Sequence, residues 1–370
     1  MSKILIAGDF VPLDRVKEQI ESGNYSCFEE VKPIVQSADY SIINFESPVV
    51  EHDAIPIVKY GPNLKCSAKG LEAVKWAGFS CVTLANNHFL DYGGIGVVDT
   101  LDKSRSIGID IVGGGKNLEE AAAVLYKYVG GQRLAIINVC ENEFSIASPD
   151  SPGSNPLDPV RQYYTIQEAK NNADRVLVIV HGGHELFQLP SPRMVSTYRY
   201  FIDVGADAVV NHHQHCYSGY EVYKGKPIFY GLGNFCFDHK GQRNSIWNEG
   251  YMVTIDFSSK VASFTIHPYR QCDAYPRVKM LPTDAFDEKI KELNCIIEQP
   301  AALAAAVNTY YEKCGDSYSN IFEPIRNRYY LTAKHRGWLP SLISKNRKLN
   351  AQNYILCEAH RDKLMHWLKK

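Results

Sequence analysis

Three histidines close a short apolar run in the stretch Ala206–Asp207–Ala208–Val209–Val210–Asn211–His212–His213–Gln214–His215. The run 206–211 predicts a buried strand, and the histidines then lie at its carboxyl end, where α/β proteins place their binding sites. In an extended segment residues i and i+2 point to the same side, so His213 and His215 are predicted to face one pocket and His212 to point elsewhere. Imidazoles at this spacing suit chelation of a transition metal. The stretch therefore predicts an α/β fold with a metal site beside a sheet.

Polar clusters follow four other apolar runs of strand length in the same way. Ligands of open α/β sheets gather in the crevice outside the carboxyl ends of the strands, so clusters from distant segments can form a single site. One such cluster would carry little weight, whereas five in the same context indicate one metal centre. The four are Gly8–Asp9 after a strand predicted at Lys3–Ala7, Asn44–Phe45–Glu46, Asn86–Asn87–His88, and His181–Gly182–Gly183–His184–Glu185.

Carboxylate and amide oxygens supply half of the candidate ligands. Asp9 and Glu46 can each ligate a metal, and a carboxylate can also bridge two ions. The alternatives are a helix cap or turn for Asp9 and a solvated strand end for Glu46. Asn87 offers a neutral oxygen. With His181, His213 and His215 the set mixes oxygen and nitrogen, which suits one or two divalent ions of Mn, Fe or Zn rather than a thiolate site.

His88 and Asp91 are the candidate catalytic residues. His88 can stay off the metal and act on the substrate as an acid or hydrogen-bond donor. Asp91 can orient the imidazole of His88, or it can cap the helix predicted from Gly94; both interpretations are open.

Three further residues are candidate substrate-binding groups. Arg193 stands near the start of a predicted helix and could hold an anion there; the alternative, a surface arginine, is favoured by its position alone. Glu185 follows His181 within one turn, and Asn234 could reach the site from a later strand. Glu141 and Glu143 are also possible pocket residues.

The composition is that of a globular enzyme, with 45% hydrophobic and 22% charged residues and a net charge of −1. This balance excludes a dedicated, sequence-specific nucleic-acid binder, which is usually strongly basic. The scattered cysteines include no Cys-x-x-Cys pair and predict buried, reduced thiols. Neither a secretory signal nor an apolar stretch of about 20 residues is visible, which predicts a cytoplasmic protein without a transmembrane segment.

Strand and helix patterns alternate as far as the histidine run, and antiparallel strand patterns follow it. This order predicts two packed sheets with helices outside. The chain reads as helical from Thr283, so we predict a domain at 1–282 and a helical extension at 283–370. Residues 285–370 carry 14 Lys/Arg and 9 Asp/Glu. Such a tail could contact an acidic polymer or a membrane surface, or it could be a solvated helical face.

The order and spacing of the motifs resemble the CapA family of bacterial capsule (poly-gamma-glutamate) synthesis proteins, which is similar to the calcineurin-like metallophosphoesterases. The resemblance covers roughly Lys3 to Asp238. It implies a four-layer α/β/β/α sandwich, here followed by the helical extension. The motifs are Gly8–Asp9, Asn44–Phe45–Glu46, Ala85–Asn86–Asn87–His88 with Asp91–Tyr92–Gly93, His181–Gly182–Gly183 with Glu185, Gly205–Ala206–Asp207 with the histidine run, and Lys226–Pro227–Ile228–Phe229–Tyr230–Gly231–Leu232–Gly233–Asn234–Phe235.

The resemblance also divides the candidate ligands between two metals. Asp9 and His215 would hold the first metal, and Glu46 would bridge it to the second. A histidine usually stands two residues after the aspartate in the superfamily, whereas this chain has Val11, so the first metal has one ligand fewer. The second metal would be held by Asn87, His181 and His213.

The function implied is a metal-dependent, phosphoesterase-like hydrolase associated with capsule, surface-polysaccharide or polyglutamate biosynthesis. A metal-bound hydroxide would attack phosphorus while His88 protonates the leaving group, and the substrate would be an anionic small molecule or polymer. Two alternatives are open. One is a non-catalytic accessory factor that binds an anionic polymer or partner, which Val11 and the basic tail favour. The other is metal-dependent hydrolysis or transfer of an amide, such as a gamma-glutamyl bond.

Overall fold

Two β-sheets pack against each other in the computed structural model. It describes residues 2–356, 360, 363, 364 and 368, without the side chains of 315–319 and 356. The strands are β1 (Lys3–Val11), β2 (Tyr40–Phe45), β3 (Cys81–Thr83), β4 (Asp110–Val112), β5 (Gly114–Gly115), β6 (Leu125–Val129), β7 (Gln132–Cys140), β8 (Gly153–Ser154), β9 (Arg175–His181), β10 (Ala208–His212), β11 (Tyr220–Tyr223), β12 (Lys226–Phe229), β13 (Asn234–Phe237), β14 (Glu249–Asp256), β15 (Ser263–Gln271) and β16 (Val278–Met280).

Helices surround the sheets and form the C-terminal part of the chain. None of the helices in the described residues is long and apolar enough to cross a membrane. They are α1 (Asp14–Glu21), α2 (Lys32–Gln36), α3 (Lys69–Ala77), α4 (Gly93–Ser106), α5 (Leu118–Ala121), α6 (Pro159–Asn172), α7 (Pro192–Val204), α8 (Thr283–Ile297), α9 (Pro300–Ser319), α10 (Arg328–His335) and α11 (Lys345–Leu356).

The two large sheets are both mixed, with parallel strands where the polar clusters lie. The first sheet has the order β16–β15–β14–β1–β2–β3–β4, and β13 pairs in parallel with the end of β1. Its strands β1 to β4 are parallel, while β14 to β16 are antiparallel. The second sheet has the order β11–β12–β10–β9–β7–β6, with parallel inner strands and an antiparallel strand at each edge. The parallel halves bring the carboxyl ends of β1, β2, β3, β9 and β10 together.

Alternation of side chains along β1 explains why both faces of the first sheet are covered. Ile4 and Ile6 point into the core shared with the second sheet, whereas Leu5 and Ala7 point into the core beneath α1, α3 and α4. This period of two is that of a β-strand. On the far side, α6 and α7 pack on β7, β9 and β10. The resulting helix–sheet–sheet–helix order confirms the predicted four-layer sandwich.

Strand β1 is longer than the sequence predicts. The predicted strand ends at Ala7, but β1 continues to Val11 because β13 pairs beside its second half, with Asp9 opposite Asn234. The register of β1 against β2 shifts between Ala7 and Asp9, as at a β-bulge. Asp9 therefore lies inside a bulged strand rather than after it, and such irregularities commonly re-aim a side chain near a functional site.

The chain divides into two compact units, Met1–Leu303 and Ala304–Lys370. The predicted boundary after residue 282 lies earlier, because α8 reads as the start of the helical extension. In the structure Phe286 and Ile290 of α8 are buried in the core of the sandwich. Helix α8 therefore belongs to the first unit, and most of 357–370 lies outside the described residues.

The cysteines of the described residues are free, and seven of them are buried. Burial raises the pKa of the Cys66 thiol to about 12. A thiol in such surroundings stays protonated and unreactive. This agrees with the buried, reduced thiols predicted from the apolar runs around them.

Candidate metal centre

The candidate ligands meet where strands of both sheets end. Five of the six side chains are buried, and the sixth, that of Asn87, is half-buried. They come from the bulge of β1 (Asp9), the residue after β2 (Glu46), the turn beyond β3 (Asn87), the end of β9 (His181) and the turn after β10 (His213 and His215).

Two overlapping groups of these side chains could each hold one ion. The first group is Glu46, His181 and His213, and the second group is Asp9, Glu46 and His215. Within each group the ligand atoms all lie within 4.8 Å of one another. Glu46 belongs to both groups, which is the division that the family resemblance implies.

Nitrogen and oxygen atoms of the first group converge around the imidazole of His181. Its Nε2 lies 3.4 Å from Glu46 Oε1 and 3.0 Å from His213 Nδ1. Asn87 Oδ1 is 3.1 Å from the same nitrogen. Two imidazoles, a carboxylate and an amide oxygen form a donor set suited to a divalent transition metal.

The second group is looser and depends on Asn234. His215 Nδ1 lies 3.7 Å from Asp9 Oδ2, and its Nε2 lies 3.9 Å from Glu46 Oε1. Asn234 is fully buried; its Oδ1 is 2.9 Å from His215 Nδ1, and its Nδ2 donates to the backbone oxygen of His215 at 3.0 Å. Asn234 therefore orients an imidazole instead of lining the pocket as a substrate-binding residue.

Val11 occupies an apolar cluster beside the second group. It is buried against Leu64, Phe237 and Trp247. The ring of His215 packs on Trp247 with the centroids 4.7 Å apart. The second group thus meets an apolar wall on the side of Val11, and its donors are the side chains of Asp9, Glu46 and His215.

The turn after β10 directs both His213 and His215 into the site, but for a different reason from the predicted one. Their φ angles are 88° and 55°, so the backbone is left-handed at both residues and not extended. Non-glycine residues held in this region cost conformational energy and concentrate at functional sites. His212 points away as expected, with Nε2 3.0 Å from the backbone oxygen of Ala7, and belongs to neither group.

Glu46 provides the test of whether a metal fits. Both its carboxylate oxygens are buried, and neither accepts a hydrogen bond from any described residue. A buried carboxylate is ordinarily paired, hydrogen-bonded or bound to a metal. The residues present therefore fit a divalent cation, which would neutralise Glu46 from within both groups.

Burial shifts the ligands toward their neutral forms when no ion is present. It raises the pKa of Asp9 to about 7, with a further increase from the nearby Glu46, and it raises the pKa of Glu46 as well. Burial also lowers the pKa of His181 and His213 well below the usual range for histidine. The imidazoles are thus held in the neutral form that binds metals, and a cation would restore the charge of the carboxylates.

We expect Asp9→Asn to stabilise the metal-free protein progressively as the pH rises. A raised pKa means that ionising Asp9 costs folding energy, so the cost is absent below about pH 4 and complete above about pH 7. The difference between 3.8 and about 7 corresponds to about 4 kcal/mol. Urea denaturation in EDTA from pH 4 to pH 8 measures the difference between variant and wild type. Asp150→Asn, at an exposed carboxylate, is the control. A difference in unfolding free energy between Asp9→Asn and wild type that does not change with pH would contradict the expectation.

A second network of hydrogen bonds and an ion pair sets the orientation of His88. Its Nδ1 lies 2.6 Å from Asp91 Oδ2, and Asp91 Oδ2 also accepts from the backbone N–H of Leu64 at 2.6 Å. Lys59 forms an ion pair with Asp91 Oδ1, and both side chains are buried. Asp91 therefore holds His88 by one nitrogen and leaves Nε2 as the nitrogen available to a substrate.

Asp91→Ala is expected to lower the free energy of unfolding of the metal-free protein by about 3–5 kcal/mol, because it leaves the buried Lys59 ammonium without a counter-charge. Urea denaturation measures the loss. Adding Lys59→Met to this variant should recover part of the loss. Equal losses in the single and double variants would show that the charge pair is not the cause.

Two of the residues in this region have roles that the sequence does not predict. Lys59 lies in an irregular segment between β2 and α3, and no pattern in that segment points to His88. Asn44 donates to Asp9 Oδ1 at 2.6 Å and lies 3.3 Å from His181 Nδ1, so it orients a ligand of each group. A polar residue inside the apolar strand Ile42–Ile43–Asn44–Phe45 was a signal that could have identified it.

A cavity of about 580 Å³ opens onto the centre. Its lining includes His88, Asn87 and His215, together with Trp247 and Lys59. Both polar and apolar side chains face it, as in most small-molecule sites. The cavity gives a substrate access to His88, to Asn87 and to His215 of the second group.

The remaining candidate pocket residues are only partly brought together. Glu185 and Glu143 line the cavity, and burial raises the pKa of Glu143. Arg193 does not line it; its guanidinium is largely exposed and bonds Glu141 Oε1 at 2.6 Å. The structure therefore places Glu185 in the lining of the cavity and places Arg193 on the surface outside it.

Residues 3–239 match the profile of the family described as bacterial capsule synthesis protein PGA_cap. The chain belongs to this family. The matched part contains every candidate ligand together with His88 and Asp91, while 283–370 lies beyond it. The resemblance to CapA proteins is thereby confirmed.

Curated relatives cover part of the chain. Capsule biosynthesis protein CapA of Bacillus anthracis is 39% identical over 188 residues, which cover 49% of this chain and 46% of that protein. PGA biosynthesis protein CapA of Bacillus subtilis (strain 168) is 37% identical over 179 residues, covering 48% and 47%. A probable polyglutamine synthesis accessory protein of Mycobacterium tuberculosis is 33% identical over 171 residues, covering 43% and 45%. The chain spans about half the length of these relatives.

Proposed function

We propose that the protein is a metal-dependent, phosphoesterase-like hydrolase that acts on an anionic substrate in capsule or polyglutamate biosynthesis. The observation that carries the proposal is Glu46, whose two buried oxygens accept no hydrogen bond from the described residues and belong to both ligand groups. A buried carboxylate without hydrogen bonds is costly unless it ligates a cation. Mn, Fe and Zn suit the mixed oxygen and nitrogen donors.

The contacts suggest which residues would hold each ion and which would act on the substrate. Glu46, His181 and His213 would hold one ion, and Asp9 and His215 would join Glu46 for a second. A divalent ion supplies activation of water and stabilisation of negative charge. His88 faces the cavity with Nδ1 held by Asp91, so its Nε2 can donate a proton to a leaving group. Asn44 and Asn234 keep the ligands oriented.

Amide hydrolysis or transfer is a second candidate. The Bacillus subtilis relative is named for PGA biosynthesis and the Mycobacterium tuberculosis relative for polyglutamine synthesis, and such polymers are joined by amide bonds. The same centre could activate water toward a carbonyl carbon. A binding role without turnover is the third candidate, and the small donor set beside Val11 supports it.

Metal analysis of the purified protein tests the proposal first. We expect one or two equivalents of Mn, Fe or Zn after reconstitution, and loss of the first-group ion in His213→Ala. The loaded protein is then assayed against a phosphodiester, a phosphomonoester and a gamma-glutamyl amide.

Each outcome separates the candidates. Turnover of phosphoesters supports the proposal, whereas turnover of the amide alone replaces phosphoryl chemistry with amide chemistry. Bound metal without turnover of either class favours the accessory role. A wild-type protein that takes up none of the three metals, and that His213→Ala leaves unchanged, would rule out the metal centre.

A further inference from the structure

Residues 320–356, which we call the basic segment, differ in charge from the rest of the chain. They contain seven Lys/Arg and one acidic residue, Glu323, in a protein whose net charge is −1. The segment includes α10 and α11 and lies in the second compact unit. It carries none of the family motifs, so the metal centre does not explain its composition.

The single carboxylate of the basic segment is turned inward. Glu323 is 3% exposed, and it accepts hydrogen bonds from Tyr330 Oη at 3.3 Å and from the backbone N–H of Leu342 at 3.1 Å. Lys334 Nζ pairs with it at 3.2 Å. The surface of the segment is therefore positive only. The exposed cations are Arg326, Arg328, Arg336, Lys345, Arg347 and Lys348.

Large apolar side chains stand among these cations. Tyr329 is 87% exposed and Trp338 is 69% exposed, and Leu339 and Leu342 are each 45% exposed. The guanidinium of Arg336 lies 4.9 Å from the ring centroid of Trp338. Several exposed apolar side chains on one short segment are typical of an interaction surface. The basic segment thus presents apolar and cationic groups together.

We propose that the basic segment docks the protein on an anionic membrane surface. Charge complementarity selects the headgroups, because Lys and Arg near an anionic leaflet each strengthen binding. Tryptophan and tyrosine favour the boundary between headgroups and acyl chains, where one end of the ring is apolar and the other wet. Stable surface binding requires two such signals acting together, and this segment supplies both.

An anionic polymer in solution fits these observations less well. A polyanion would use the six exposed cations, but it would leave Trp338, Leu339 and Tyr329 in water. A lipid surface takes up both kinds of side chain. The proposal does not depend on the metal centre, since none of its residues lies in either ligand group.

Co-sedimentation of the full chain with phosphatidylcholine vesicles, with and without phosphatidylglycerol, tests the proposal. We expect binding only when phosphatidylglycerol is present. Lys345→Gln with Arg347→Gln and Lys348→Gln should weaken it about 100-fold. Trp338→Ala with Leu339→Ala should weaken it by at least about tenfold through lost apolar burial.

Matched controls use exposed residues of the first unit. Lys116→Gln with Arg161→Gln and Lys260→Gln removes as many charges and should leave vesicle binding unchanged, as should Tyr128→Ala. Circular dichroism verifies that each variant is folded, which the exposure of the residues favours. Failure of the wild type to bind anionic vesicles, or unaltered binding after loss of Trp338 and Leu339, would overturn the proposal. So would capture by soluble polyglutamate without vesicle binding, which would assign the segment to a polymer.

Discussion

Glu46→Gln is expected to remove metal binding from both ligand groups at once. Glu46 is the one residue that the two groups share, and the substitution deletes its charge while keeping its shape. Loss of a residue that only orients a ligand typically costs 10–100-fold in metal affinity. Loss of the shared ligand should therefore lower the affinity by at least about 100-fold. Titration with Mn²⁺ or Zn²⁺ measures this change.

Without metal, the same variant should be at least as stable as the wild type. The buried carboxylate accepts no hydrogen bond from the described residues, and burial raises its pKa. Replacing it by a neutral amide should keep or raise the free energy of unfolding at pH 8, by on the order of 1–3 kcal/mol. Glu185→Gln is the matched control, because Glu185 lines the cavity outside both groups. Undiminished metal affinity in Glu46→Gln would exclude Glu46 as the shared ligand.

His88→Ala is expected to lower kcat by roughly 10²–10⁴-fold, the range typical of a lost general acid. The imidazole faces the cavity but belongs to neither ligand group, so the metal content should not change. Steady-state kinetics on the best substrate from the hydrolysis assays, with metal analysis of the same sample, measures both quantities. Loss of metal together with activity would instead make His88 a ligand.

His239→Ala is the matched control for this variant. His239 lines the same cavity, but its Nδ1 accepts a hydrogen bond from the backbone N–H of Gly241 at 3.2 Å. We expect its removal to change kcat by much less. Asp91→Asn keeps the shape of the residue that orients His88, and it should lower kcat more than it changes KM. Equal effects of His88→Ala and His239→Ala would argue against a proton-donating role for His88.

Local sequence patterns were sufficient to predict the layers of the fold and the kinds of side chain that could ligate a metal. Alternating apolar residues and short apolar runs predict strands, and the polar residues that end them are visible without any knowledge of packing. Glu46, His181 and the histidine run could be identified in this way. Asp9 was identified too, although its place in a bulged strand was not, because β13 pairs with it from more than 200 residues away.

Other features depend on contacts that no local pattern encodes. Lys59 reaches Asp91 from an irregular segment, and Asn234 reaches His215 from a strand that the sequence did not predict to lie beside β1. The pairing of His213 with His215 was inferred from an extended backbone. In the structure it arises from two left-handed residues in a turn.

The sequence by itself determined most of the strands and helices and the side chains capable of holding a metal, because each depends on neighbours along the chain. The order and spacing of its motifs also indicated the family. Only the tertiary structure decided that the carboxylate oxygens of Glu46 accept no hydrogen bond from the described residues and that its two groups of neighbours lie close enough to share it. It also turned the single acid of the basic segment inward and left the cations outside. Burial and distance govern these properties, and both are set by the packing of segments that are far apart in sequence.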